Sequence, residues 1–264
     1  MKTSVLMKNI IVIKVGTGVL TTTDGQLKTE PFYSLANQAA LLKHEGYGVI
    51  IVSSGGVAAG SERVSCLGGE PSLYCKSDLA GIGSRHLLNR WGDAFALHHL
   101  DVAQFWMTYG NLAHKSESKS IRSKLRVFAS DSRIVPIVNE NDVVSAVEIE
   151  KMRRGLGDND HLARSIARLV KASHILFVTE AGGVYTHNPA LHSEAELVCV
   201  IDARKRFRLP RKGSGPARNG TGGMQSKVNQ ARICARRGIN AYILGFKDVL
   251  PCIRGEPVGT FVSA

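Results

Sequence analysis

Five short stretches of this sequence combine residue types suited to holding phosphate or carboxylate groups. In Lys14-Val15-Gly16-Thr17-Gly18 an apolar run ends in a lysine and two glycines. Glycines let backbone N–H groups approach a phosphate, and the lysine adds a point charge. A strand-end turn with an extended lysine is the plainer alternative, and the stretch fits neither the GxGxxG nor the GxxxxGK[ST] phosphate motif. Ser53-Ser54-Gly55-Gly56 again sets small residues after an apolar run, offering amides and a hydroxyl; a simple turn uses the same residues. Asn139-Glu140-Asn141-Asp142 follows a third run and has the groups to fix an ammonium and a carboxylate, or to cap a helix. Gly157-Asp158-Asn159-Asp160 carries more acid than a helix cap needs. Beside a phosphate site it would anchor lysines or hold a magnesium ion. In Gly220-Thr221-Gly222-Gly223-Met224-Gln225-Ser226-Lys227 a glycine-rich segment opens a helix with a lysine in its first turn. That is unfavourable for the helix unless an anion binds at its N-terminus, so this is the strongest of the five.

The elements that position these stretches follow from periodicity. Apolar, β-branched runs predict strands at Asn9–Val15, Gly48–Ser53, Asp101–Met107, Ile134–Val138, His174–Thr179, Leu197–Ile201 and Ile239–Leu244. Helical spacing predicts helices at Phe32–His44 (Leu35, Ala39, Leu42), Asp78–Leu97 (Leu79, Ile82, Leu87, Leu88), Ser116–Phe128, Asn159–Val170 and Gly223–Arg237. Strands apolar on both faces and alternating with helices imply an α/β protein, a three-layer αβα sandwich on a mostly parallel sheet. In such sheets ligands gather at the carboxyl ends of strands, which is where these motifs lie. No internal repeat or linker divides the chain. Arg204–Gly223, with seven basic residues between Arg204 and Arg218, reads as a long loop or lid.

Bulk properties narrow the setting. At 264 residues the chain can bury a full core without disulfides. Its five scattered cysteines have no zinc or redox spacing and are expected to be free and mostly buried. The apolar run after Lys8 is broken by Lys14, too early for a secretory signal, and no run reaches membrane-spanning length. A cytoplasmic protein is expected. The net charge of +12 fits phosphate, carboxylate or nucleic-acid partners without choosing among them. His44, His98, His99, His161 and His174 show no metal-ligand grouping.

The blocks IKVGTGVL (13–20), SSGGVAAG (53–60), IVPIVNENDVVSAVEI (134–149), GDNDHLA (157–163), VTEAGGVYTHNP (178–189), GTGGMQSK (220–227) and the closing VGTF (258–261) resemble, in order, the amino-acid kinase family and within it the glutamate 5-kinase branch. The resemblance implies a single kinase domain over 1–264, acceptor-binding in its N-terminal part and ATP-binding from about residue 157. It implies transfer of the γ-phosphoryl group of ATP, with Mg²⁺, to the side-chain carboxylate of L-glutamate, the first step toward proline. Lys14, Lys227 and Asp160 would be catalytic, the aspartate orienting the two lysines. Ser54, Gly55, Asp142, Asn159 and Asp158 would bind the acceptor. Gly16, Thr17, Gly18, Thr179, Glu180, Thr221, Gly222, Gly223 and Met224, with Lys14 and Lys227, would serve ATP. No protein ligand to a metal is assigned. A homo-oligomer is implied, with no membrane or nucleic-acid partner. Many members continue into a C-terminal PUA domain, before which this sequence stops.

Three departures bear on acceptor affinity, proline feedback and oligomer contacts: Gly56 for the usual Ala, Glu180 for Asp, and Ser84 for Gln, the last within a divergent segment, Glu62–Ser84. A second reading is therefore a related kinase acting on another carboxylate or phosphate. A third, from the charge and the Arg204–Arg218 cluster, is a basic nucleic-acid-binding protein on this scaffold.

Overall fold

The computed structural model describes residues 9–144, 159–209 and 223–264. In chain order these form β1 (Ile10–Val15), α1 (Thr17–Leu20), α2 (Glu30–His44), β2 (Gly48–Ser53), α3 (Gly56–Cys66), α4 (Lys76–Ala96), β3 (Asp101–Met107), α5 (Tyr109–Ala113), α6 (Lys115–Ser130) and β4 (Ile134–Glu140). There follow α7 (Asn159–Val170), β5 (His174–Val178), β6 (Val200–Asp202), α8 (Met224–Ala235), β7 (Asn240–Leu244), α9 (Val249–Ile253) and β8 (Thr260–Ser263). The eight strands make one sheet in the order β3-β4-β2-β1-β5-β7-β8-β6. Every pairing is parallel except β7 with β8.

Alternation along β1 shows how the layers form. Ile10 and Val12 pack into a core with Leu162 and Ile166 of α7, Val228 and Ala231 of α8, and Leu125 of α6. Ile11, Ile13 and Val15 pack into a second core with Phe32 and Leu35 of α2, Leu87 and Trp91 of α4, and Val249 of α9. A strand buried on both faces must be apolar at every position but one that has a partner. In β1 that exception is Lys14.

The sequence expectations fail at specific places. The helix containing Asp78 begins at Lys76, because the Asp78 carboxylate accepts the Cys75 N–H at 3.1 Å and fixes the start. Ile82 is 37% exposed, since the buried stripe of α4 runs through Leu79, Gly83, Leu87 and Trp91 at i, i+4, i+8 and i+12. Asn139 and Glu140 do not follow β4 but end it. The strand expected at Leu197–Ile201 is β6, and Leu197 only bridges Tyr185. Of the cysteines, Cys66, Cys75 and Cys199 are exposed; only Cys234 and Cys252 are buried. The loop expected at Arg204–Gly223 lies mostly outside the described residues. No helix among those described is long and apolar enough to cross a membrane.

Candidate active site

Ten polar or charged side chains are buried among the described residues, and seven of them sit at the carboxyl ends of the central strands or on helices that start there: Lys14, Ser53, Ser54, Asn139, Glu140, Asp160 and Lys227. The period of β1 turns Lys14, like Ile10 and Val12, toward α7 and α8. Asp160 lies in the first turn of α7 and Lys227 in the first turn of α8. Lys14 Nζ is 2.6 Å from Asp160 Oδ1, and Lys227 Nζ donates to Asp160 Oδ2 at 3.3 Å. Asp160 is fully buried, and the two lysines are 3% and 7% exposed. One carboxylate therefore holds two ammonium groups, and the three groups together carry one positive charge. That charge lies beside the N-termini of two twelve-residue helices, whose free N–H groups add positive potential. Such an arrangement is suited to an anion, and above all to one whose negative charge grows during a reaction.

On the β2 side of β1, backbone and side chains lock a small-residue turn. The Ser54 N–H donates to Val15 O at 3.1 Å, and Asn159 Nδ2 donates to Ser54 Oγ at 2.9 Å, which ties the turn to the start of α7. Gly55, at φ 106°, takes a left-handed conformation that other residues resist and so turns the chain into α3. Beneath it, Trp91 Nε1 donates to Ser53 Oγ (3.0 Å), Asn139 Nδ2 to Ser53 O (2.9 Å) and Gln104 Nε2 to Asn139 Oδ1 (3.1 Å). Asn139 is thus a buried brace for β2, while half-buried Asp142 opens the helical turn 142–144. The structure brings Lys14, Asp160, Lys227, Ser54 and Asn159 together. Asp158, Thr221 and Gly222 lie outside the described residues; Gly223 is the exposed residue before α8, and Met224 its half-buried first residue.

On the β5 side, the Gly16 N–H reaches Val178 O at 3.4 Å, and the Thr179 N–H donates to Leu244 O at 2.9 Å. Thr17 starts the single turn α1. A Cβ on Gly18 would lie 3.4 Å from the Glu180 carboxylate. Lys28, which the sequence did not single out, donates to Gly18 O at 3.2 Å and to Glu180 Oε1 at 3.4 Å. Glu180 therefore takes part in a clasp across the glycine turn. Its only sequence signal is a charge pair 152 positions apart, which no local pattern reveals.

A second missed feature lies where α3 crosses α4. A Cβ on Gly60 would come within 1.9 Å of Leu79 O, and one on Gly83 within 2.1 Å of Gly56 O. The two helices touch backbone to backbone, which fixes the start of α3 at the Gly55 turn. Glu62 secures the same hairpin. Its carboxylate accepts from the Leu27 N–H (2.8 Å) and Arg90 Nη2 (2.9 Å), and lies 3.1 Å from His86 Nε2. Burial works to raise the pKa of Glu62, but these partners outweigh it and hold the group below its ordinary value. Ser84 turns back on its own helix, its hydroxyl donating to Gly81 O at 2.7 Å.

Other reactive groups are quiet. Burial raises the Cys234 thiol to about 11 and Cys252 to about 12, so neither is a nucleophile near neutral pH. Burial also keeps His174 below its ordinary value. Among the described residues no group of three or more His, Cys, Asp or Glu could hold a metal ion.

Residues 9–245 match the amino acid kinase family. A glutamate 5-kinase of Dehalococcoides mccartyi is 36% identical over 254 residues, covering 95% of this chain and 67% of that protein. A glutamate 5-kinase of Yersinia pestis is 32% identical over 253 residues with the same coverage. The chain belongs to the amino acid kinase family. Carbamate kinase from Giardia lamblia bound to AMP-PNP shares the fold at a TM-score of 0.67 and 14% identity, over 97% of this chain and 98% of that one. Family membership makes the chain a phosphotransferase with ATP as phosphoryl donor, and the lysine–aspartate–lysine centre lies within the matched span.

Proposed function

We propose that the protein transfers the γ-phosphoryl group of ATP to the side-chain carboxylate of L-glutamate, giving L-glutamate 5-phosphate and ADP, a step toward proline. The observation that carries this reading is the pair of buried lysines held on the two oxygens of Asp160. The names and identity of the two curated relatives support glutamate as the acceptor.

A side-chain carboxylate is ionised at pH 7, so its oxygen attacks the γ-phosphorus without a general base. The bond from that phosphorus to the oxygen bridging it to the β-phosphate breaks, and the electron pair leaves with ADP. Catalysis then consists of positioning and charge stabilisation. Lys14 and Lys227 supply the charge, and Asp160 holds them at one point. Ser54, Gly55, Asn159 and Asp142 hold the acceptor, with Asp158 beside them in the chain. The Gly16–Gly18 turn, Thr179, Glu180 and the residues from Thr221 to Met224 hold the nucleotide. The acceptor part of the domain thus precedes about residue 157, apart from Asp158 and Asn159, and the nucleotide part follows it, apart from Lys14 and the Gly16–Gly18 turn. The described donor set does not fit a protein-held metal, because Asp160 already has an ammonium group on each oxygen. Mg²⁺ would arrive on the ATP phosphates and neutralise their charge.

The turned-back Ser84 hydroxyl favours a second reading, a different carboxylate or phosphate acceptor. A coupled ADP-release assay with glutamate, N-acetylglutamate, aspartate and carbamate separates the two. Turnover with glutamate at least tenfold above the others is expected; turnover with glutamate at background would remove the first reading.

A further inference from the structure

Helix α5 is a short element with a surplus of restraint. It has five residues, none of them buried, and Leu112 leans on the core from its edge. A helix of that length does not hold itself in water. Yet Thr108 caps it through a closed set of bonds. The Thr108 N–H and hydroxyl donate to Asn111 Oδ1 at 2.8 and 2.9 Å, and the Asn111 N–H returns to Thr108 Oγ1 at 3.2 Å. Asn111 Nδ2 then donates to Glu117, in the first turn of α6, at 2.6 Å. Core packing does not account for so firmly fixed a turn.

What the turn presents is Tyr109. Its ring meets the ring of His161 at 5.2 Å between centroids and 61° between planes. That is the edge-to-face arrangement that aromatic pairs favour. His161 directly follows Asp160 in the first turn of α7. Arg164, one turn further along α7, has the same tyrosine among its electrostatic neighbours. On the other side of Thr108, Met107 O accepts the Asn141 N–H at 2.8 Å. The end of β3 and the start of α5 therefore grip both the Asn139–Asp142 stretch and the first turn of α7.

Within that first turn the restraint is uneven. Asp160 is fixed by an ammonium group on each oxygen. Asn159 is fixed through one amide bond, from Nδ2 to Ser54 Oγ at 2.9 Å, and its buried Oδ1 has no partner among the described residues. Loosening the turn would displace Asn159 before Asp160.

We propose that Tyr109 is a positioning residue for the acceptor: through the His161 ring it sets the first turn of α7, and with it the Asn159 amide on the Ser54 hydroxyl. This inference rests on the assignment of Ser54 and Asn159 to the acceptor.

The test compares Tyr109→Leu and Tyr109→Phe with the parent by steady-state ADP release, glutamate being varied, on protein with parental circular dichroism. Tyr109→Leu should raise KM for the acceptor about fivefold or more, with kcat and KM for ATP within about twofold, the pattern of a lost uniform binding contribution. Tyr109→Phe keeps the ring and should match the parent. A tyrosine that only stabilised the fold would lower the urea midpoint without separating the two KM values. Amide hydrogen exchange gives a second readout. The amides of Ala163, Arg164 and Ser165 close onto the carbonyls of residues 159–161, and in Tyr109→Leu they should exchange about tenfold faster. Exchange does not depend on the acceptor, so absence of parental turnover with glutamate would remove the glutamate reading alone, whereas unchanged exchange would remove this one. If Tyr109→Leu does not fold, His161→Ser replaces it with the same expectations, and His161→Phe serves as the ring-keeping control. An acceptor KM unchanged in the ring-deleted variant, an equal rise in KM for ATP, or an equal defect in the ring-keeping variant would each overturn the proposal.

Discussion

At the end of β1 positive charge is crowded: two ammonium groups meet one carboxylate at 2.6 and 3.3 Å in a site closed to solvent. Across the sheet, at the crossing of α3 and α4, side chains are missing altogether, and a methyl group on Gly60 would sit 1.9 Å from a carbonyl oxygen. The first region is arranged by charge and the second by shape. Losing the charge of either lysine should silence the chemistry of an otherwise folded protein, whereas losing the carboxylate that holds both should cost stability too. Adding one carbon at the crossing should move the backbone that carries the Gly55 turn, disturbing fold first and acceptor binding second.

The sharpest way to break this contrast is Asp160→Ala. It leaves two lysines buried without their shared carboxylate and should cost about 3–5 kcal/mol of stability as well as activity. Urea unfolding with the midpoint unchanged would mean that Asp160 does not hold the lysines. Next come Lys14→Ala and Lys227→Ala. Each should lower kcat by a hundredfold or more, about 3 kcal/mol of lost charge stabilisation, measured by ADP release on protein whose circular dichroism matches the parent. Gly60→Ala should destabilise by roughly 1–3 kcal/mol through overpacking and raise KM for the acceptor more than KM for ATP. The reverse pattern would place the crossing on the nucleotide side.

Glu62→Gln should cost about 1–2 kcal/mol by weakening the bonds from Leu27, His86 and Arg90. Its pH dependence has a definite sign. The folded-state pKa is below the ordinary 4.5, so the contribution is full above that value and disappears as pH falls through the folded value. The gap between parent and variant in denaturant midpoint should therefore be wide at pH 7 and close toward strongly acidic pH. The smallest effect is expected for Lys28→Met. Its partner Glu180 is 59% exposed, so stability should change by under about 1 kcal/mol. A modest rise in KM for ATP would support the clasp's place on the nucleotide side.

Legibility followed the same divide. Lys14, Asp160 and Lys227 stood out because a charged residue at the end of an apolar strand, or in the first turn of a helix behind glycine, violates the local pattern. The strands at Gly48–Ser53 and Asp101–Met107 were readable to the residue because both their ends are marked by a break in apolar composition. Helix α3 was not foreseen, since Gly55, Gly56 and Gly60 disfavour a helix and read as a loop. What stabilises it is α4, a partner outside any local window. Ile82 misled for a related reason: it is apolar, yet the residue that meets α3 is Gly83. Asn139 looked like a ligand, but its amide is spent on Ser53 and Gln104, bonds between strands whose order the sequence does not state.

The place of β1 in the sheet also has a consequence in time. The earliest strand in the chain sits between β2 and β5, and β5 begins 159 residues after the last residue of β1. Pairings that far apart close late and slowly. A chain growing from its amino end completes the pocket for Lys14 only once α7 and α8 have emerged. Until then this ammonium group lies at the open edge of a half-built sheet, which keeps that edge charged and discourages two unfinished chains from zipping together there.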